Sequence, residues 1–403
     1  MSSRFDVSPE MSSRFDVSPE LERDLQRLFR PALGLGVLLS IASVIGAFFS
    51  PGDFFRSYLM GYLFWLGLTL GSTAIVMMQY LTAGAWGIVT RRPLESASRT
   101  LPLCALLFIP IAIGIPSLYD WAHSDLVHSE YVLRHRYIYM NPTMFIVRAI
   151  VYFVIWGIFT YFLNKWSREQ DITGGLEKRL AALSAPGLIV YVFTVSFSSI
   201  DWAQSLETDW YSTMWGFLFV ARQGLSAFAF VIIVMALLSR REPLAGIFTQ
   251  KHLHDLGKLL LVFVMLWAYF AFSQLVIVWS GNLTDEIPWY LRRFATSWGW
   301  LGVMLIVLEF IVPFLMLLSR SLKRNVIALC CVVGIIIFMR WVDMMWIVMP
   351  SYYQHGFRLT WMNFVVPAAI GCFWIAVFLW QLKTRPLLPL QAPNLERALH
   401  HGE

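Results

Sequence analysis

Charge is scarce in this chain. Only 14% of its 403 residues are Asp, Glu, Lys or Arg, against roughly 25% in soluble domains. Cysteine is rarer still. Cys104, Cys330, Cys331 and Cys372 all fall in apolar segments, with no CxxC and no CxxCH. That removes the usual sequence signals for iron–sulfur clusters, covalent haem and structural zinc, and the four thiols read as small buried hydrophobes. Histidine is missing from the middle of every apolar run. His123, His128 and His135 share one connecting segment and His355 lies in another. His252 and His254 open a helix, and His400 and His401 end the chain. A haem of the cytochrome b type needs imidazoles facing each other inside a bundle, so this pattern argues against one. The dyad alternation of membrane barrel strands is also absent. A net charge of +6 does not mark a nucleic-acid binder, because the excess Lys and Arg stand beside apolar runs, where topology uses them.

What is present is apolar length. Residues of hydrophobic type make up 58% of the chain and come in runs near the ~20 residues a membrane crossing needs. The expected fold is all-α and polytopic, with ten spans at about 31–50, 57–83, 101–119, 142–164, 184–203, 212–239, 254–281, 297–319, 325–349 and 360–382. Residues 1–10 and 11–20 repeat the string MSSRFDVSPE and are set aside from fold reasoning. Ser18-Pro19 has the form of an N-cap with proline at the first helical position. Leu21, Leu25, Leu28 and Phe29 then share a face opposite Glu22, Arg23 and Arg27, which predicts a short surface helix within 1–30. The tail 383–403 carries Pro386, Pro389 and Pro393 and is expected to be extended and loose.

Lys and Arg set an orientation. With the N-terminus inside, the inner segments hold 21 of them and the outer loops six; Arg148, Arg222, Lys258 and Arg340 lie within spans. The bias predicts both termini in the cytoplasm. Trp121, Trp202, Trp210, Trp279, Trp289 and Trp346 then fall near outer span ends, where an aromatic belt is expected.

Against this background the charges inside spans stand out. Asp201, Arg222, Glu309, Arg340 and Asp343 all interrupt Leu-, Val- and Phe-rich sequence. Each costs at least about 2.5–3.5 kcal/mol on insertion scales unless it is partnered. Two readings stay open: a proton path in which carboxylates titrate beside arginines, or ion pairs that fix helix packing. Glu309, near mid-depth, points most strongly to function. At the inner side, Gln250-Lys251-His252-Leu253-His254-Asp255-Leu256-Gly257-Lys258 offers His252, His254, Asp255 and Lys258 as a proton-gathering mouth, or else as an ordinary polar helix start with a snorkelling lysine.

Several motifs together carry a resemblance. They are Thr82-Ala83-Gly84-Ala85-Trp86-Gly87, Arg91-Arg92-Pro93-Leu94-Glu95 and Arg99-Thr100-Leu101-Pro102; Ser199-Ile200-Asp201-Trp202 with Ser205-Leu206-Glu207 and Trp210-Tyr211-Ser212-Thr213; and His252 to Lys258, continuing through Trp267-Ala268-Tyr269-Phe270 and Trp279-Ser280-Gly281-Asn282 to Ile287-Pro288-Trp289-Tyr290. Over most of residues 55–350 the chain resembles the smaller NrfD-like integral membrane subunit of bacterial alternative complex III, a quinol:cytochrome c oxidoreductase. The resemblance implies two four-helix bundles, at 57–203 and 212–349, flanked by spans at 31–50 and 360–382. It implies a bacterial inner-membrane complex containing a larger homologous quinol-oxidising subunit, a multihaem cytochrome c, an iron–sulfur subunit and a monohaem cytochrome c. Haem c and iron–sulfur clusters would reside in those partners, with no catalytic cofactor in this chain. The family's proton route would fall on Asp201, Arg222, Glu309, Arg340, Asp343 and the His252–Lys258 segment. Family members often carry histidine where this chain has Gln79, Tyr80 and Thr208-Asp209, which weakens a titrating role at the end of span two. Two alternatives remain: a stand-alone secondary transporter with a midplane charged site, and a subunit that itself binds quinone among its outer Trp and Tyr residues.

Overall fold

The computed structural model describes residues 15–123, 135, 137–393 and 395–399; His128, His400 and His401 lie outside them. The described residues form helices and connecting segments and contain no strand. Ten helices are long and apolar enough to cross a membrane, which makes this an all-α polytopic membrane protein. They are span one (Pro19–Phe49), two (Pro51–Thr82), three (Ala85–Ile113), four (Pro142–Thr173), five (Glu177–Leu206), six (Trp215–Leu238), seven (Gln250–Gly281), eight (Gly299–Leu318), nine (Val326–Ser351) and ten (Met362–Leu382).

Spans two and six are the central helices. In their most apolar windows 83% and 78% of residues are buried, against 17% in span one. Span two packs on spans three and five and span four packs on five; span six packs on seven and nine, and span eight on seven and nine. Spans two and six cross closely at Gly71, where a Cβ would sit 2.2 Å from the Gln223 carbonyl oxygen. Spans one and ten pair along their length and lean on span two.

Both chain ends meet at one end of the bundle. Lys383 Nζ donates to Gln26 Oε1 at 2.7 Å, and Leu387 N–H donates to the Phe15 carbonyl at 3.0 Å. The connections 83–84, 174–176, 239–249 and 319–325 lie at this terminal end; residues 120–123, 207–214, 282–298 and 352–361 lie at the far end.

Four local expectations change. The Ser18 cap forms, with its side chain accepting from Leu21 N–H at 3.2 Å. However, the helix it opens runs unbroken through Pro31 to Phe49, so there is no separate surface helix. Leu21 and Leu25 are buried as the amphipathic face requires, and Phe15, inside the repeated decapeptide, is buried too. The tail is not loose: Leu387 and Leu388 are fully buried, and Leu390 N–H donates to Asp171 at 3.0 Å. Span three begins at Ala85 rather than 101, so Arg91 and Arg92 lie on a buried helix and not in a loop. Five of the six tryptophans expected in an interfacial belt are core residues; only Trp279 is exposed. Trp210 and Trp289 stack at 4.8 Å, closing the far end over the buried charges rather than facing headgroups.

Candidate functional site

The buried charges of the second helix group form one contiguous network. Arg222 comes from span six, Glu309 from span eight, and Arg340 and Asp343 from one face of span nine, one turn apart. Arg222 grips Asp343 with Nε at 2.6 Å and Nη2 at 3.3 Å. Arg340 Nη2 lies 3.0 Å from the same Asp343 carboxylate and touches Glu309 with the same nitrogen. All four side chains are buried. Two guanidinium groups and two carboxylates cancel formally, which is how such groups become tolerable away from water.

The network is asymmetric. Asp343 bridges two arginines, whereas Arg340 is the one cation that Glu309 touches among the described residues. Aromatic rings cover the cations: Arg340 lies 5.2 Å from the Trp267 centroid, and Arg222 lies 5.2 Å from that of Phe219. Such contacts are worth about 2 kcal/mol or more when desolvated.

Glu309 sits in the one irregular stretch of span eight. Leu305–Ile311 is a π-helix, a form found mostly as single-turn bulges inside α-helices and frequent at functional sites. The cause is local. Pro313 has no N–H to give the carbonyl four residues earlier, which is that of Glu309. The wider, five-residue register is seen at Val312, whose N–H donates to the Val307 carbonyl.

Asp201 belongs elsewhere. Its carboxylate is held by Arg148 of span four, with Nε at 2.9 Å and Nη2 at 3.0 Å, and by the Tyr152 hydroxyl at 2.8 Å. Trp202 packs against Tyr152, with ring centroids 6.1 Å apart, whereas Trp215 lies 5.9 Å from Arg222 and donates its Nε1–H to the Ser199 carbonyl at 3.1 Å. The five intramembrane charges therefore divide into two sets in different helix groups.

The residues of the His252–Lys258 segment divide as well. His252 is fully buried and completes a capping box: its Nδ1 accepts from the Thr249 N–H at 3.3 Å. That is a helix-closing role, unsuited to collecting protons from water. Asp255 pairs with exposed Lys258 at 3.2 Å, and His254 Nδ1 lies 3.8 Å from the same carboxylate. From Lys258 to Trp267 the helix rises about 14 Å, and Leu260 and Val264 between them are fully buried. Leu317, Leu329, Val332 and Val333 are buried at the facing level of spans eight and nine. An apolar layer thus separates this segment from Glu309.

Two further clusters escaped the sequence reading. At the far end, Glu207 accepts from Arg293 Nη1 at 2.9 Å, Arg292 Nη1 at 3.0 Å and Ser351 Oγ at 2.9 Å. Arg293 also donates to the carbonyls of Trp289, Trp346 and Ile347, and burial lowers its pKa. At the terminal end, Arg92 bonds Glu95 at 2.6 Å and Ser167 at 3.0 Å and is clamped by Asp171, while Arg385 of the tail reaches Glu95 at 3.4 Å. Glu95 and Arg92 were visible only as part of a motif, and the tail's contribution had no local signal. Gln79 accepts from Arg91 Nε at 3.0 Å, and the Tyr80 hydroxyl donates to Glu95 at 3.3 Å.

Among the described residues no group of His, Cys, Asp and Glu has the arrangement of a metal site. No protein-family model and no curated protein matches the chain.

Proposed function

We propose that the chain is an integral membrane subunit of a bacterial quinol:cytochrome c oxidoreductase of the alternative complex III type. In this reading it scaffolds the membrane arm in the inner membrane, with both termini cytoplasmic, and carries protons for coupled translocation. Its partners are the larger quinol-oxidising subunit, the multihaem and monohaem cytochromes and the iron–sulfur subunit, and the redox groups reside in them.

The observation that carries the proton role is the Arg222–Asp343–Arg340–Glu309 network. Glu309 has one cationic contact where Asp343 has two, and an ionisable group buried within a span is by default a candidate for a proton relay. The residues we assign to the path are Glu309, Asp343, Arg340 and Arg222. The Arg148–Asp201 pair lies in the other helix group, and His252 acts as a cap. His254, Asp255 and Lys258 remain the candidates for the inner mouth, separated from Glu309 by the apolar layer.

The assembly claim rests on the sequence motifs and has a direct test. Mild-detergent purification of tagged protein from its native membrane is expected to bring down haem-containing and iron–sulfur proteins with quinol:cytochrome c reductase activity. Isolation of the chain alone, with solute uptake after reconstitution, would replace this reading with a stand-alone transporter.

A further inference from the structure

A cavity of about 480 Å³ lies beside the ion network, between spans six, seven, eight and nine. Pockets for small ligands run from about 300 to 1,000 Å³. Its rim includes Tyr269, Phe272 and Ile306, which are 63%, 66% and 49% exposed on the apolar surface of spans seven and eight. Its inner end is polar and is formed by Arg222, Gln274, Tyr290 and Asp343.

The hydrogen-bond capacity at that end is unbalanced. Arg222 spends Nε and Nη2 on Asp343, while its buried Nη1 has no hydrogen-bond partner among the described residues. A donor left unmade in such a place costs about 1–3 kcal/mol, more when charged. Gln274 Nε2 donates to the Tyr290 hydroxyl at 3.3 Å, which leaves the phenolic proton to be donated onward. Burial pushes the pKa of Tyr290 up to about 12, so it keeps that proton. The acid at this end, Asp343, is already held by Arg222 and Arg340. The cavity therefore presents donors at the end of an apolar slot that opens toward hydrocarbon.

We propose that this cavity binds a long-chain, membrane-dissolved amphiphile whose carbonyl or carboxylate oxygen accepts a hydrogen bond from Arg222 Nη1, with Tyr290 as a second donor. The chain would leave past Tyr269 and Phe272, between spans seven and eight. A fatty carboxylate and a quinone carbonyl share this acceptor chemistry. The inference stands on the cavity alone and does not depend on the respiratory reading. It also ties occupancy to the ion network, because the guanidinium that meets the ligand is the one that holds Asp343.

The test is photolabelling of the protein as purified, with two probes: palmitate carrying a diazirine in its chain, and a benzoquinone with a diazirine-bearing decyl tail. We expect one probe or both to label residues 269–275 and 302–310, and the probe that does so identifies the source of the oxygen. Unlabelled parent compound should compete, and hexadecane should not. Ala271→Trp, which fills the slot without touching the ion network, should reduce labelling at least tenfold at unchanged melting temperature. Arg222→Lys should weaken it about tenfold. If Arg222→Lys does not fold, Ala271→Trp decides. Labelling spread equally over the lipid-exposed face of span one, equal competition by hexadecane, undiminished labelling of Ala271→Trp, or no labelling by either probe would each overturn the proposal.

Discussion

Arg340 and Glu309, on neighbouring spans, touch through a guanidinium nitrogen and a carboxylate oxygen, and neither side chain is more than 1% exposed. Removing one partner of such a pair strands the other without water, at a cost of about 3–5 kcal/mol. Arg340→Leu, which strands Glu309 and leaves Asp343 to Arg222 alone, is expected to fall in that range in denaturant titrations of the solubilised protein. Arg340→Leu combined with Glu309→Gln should be less destabilised than the sum of the two changes by about 0.5–3 kcal/mol, the range found for contacting residues. Simple additivity would mean that the contact contributes nothing.

The division of the intramembrane charges into two sets makes a separate prediction. Asp201 is engaged by Arg148 and Tyr152, whereas Asp343 is engaged by Arg222 and Arg340. Distant sites without shared partners add to within roughly 0.5 kcal/mol. Asp201→Asn and Asp343→Asn should therefore be additive in stability. An interaction energy above about 1 kcal/mol would show that the two sets are joined.

His252 and His254 should differ sharply although they are two residues apart. His252→Ala removes the reciprocal half of a capping box inside a buried site and is expected to cost about 0.5–2 kcal/mol. His254→Ala, at a partly exposed position whose nearest carboxylate, that of Asp255, is 3.8 Å away, should lie within about 0.5 kcal/mol of the parent. Equal effects of the two changes would remove the capping assignment.

The docked tail gives a fourth prediction. Arg385 reaches Glu95 at 3.4 Å and Asn164 at 3.3 Å, and burial lowers its pKa. Arg385→Ala should leave the spans intact and raise hydrogen exchange over residues 386–393. Unchanged protection there would mean that Leu387 and Leu388 hold the tail without the arginine.

The sequence made the spans legible because membrane length and apolar run length are one constraint. It also marked Arg222, Glu309, Arg340 and Asp343, since a charge in such a run is conspicuous. Which charges meet was not legible. Asp201 and Arg222 are 21 positions apart and face different partners, while Arg222 and Asp343 are 121 apart and bond directly. Sequence alone starts span three too late because Arg91, Arg92 and Glu95 look like a loop, and the partners of Arg92 and Glu95, Asp171 and Arg385, come from distant segments. The belt tryptophans were misplaced for a related reason: nearness to a span end does not say whether a ring faces headgroups or the roof of a buried network.

The central claim is that Glu309 takes part in proton movement. The most direct measurement is the proton-to-electron ratio of the proposed oxidoreductase complex, intact and reconstituted, carrying Glu309→Gln, which is close to isosteric with the parent side chain. The account predicts a lowered ratio with assembly preserved; an unchanged ratio in a fully assembled complex would contradict it.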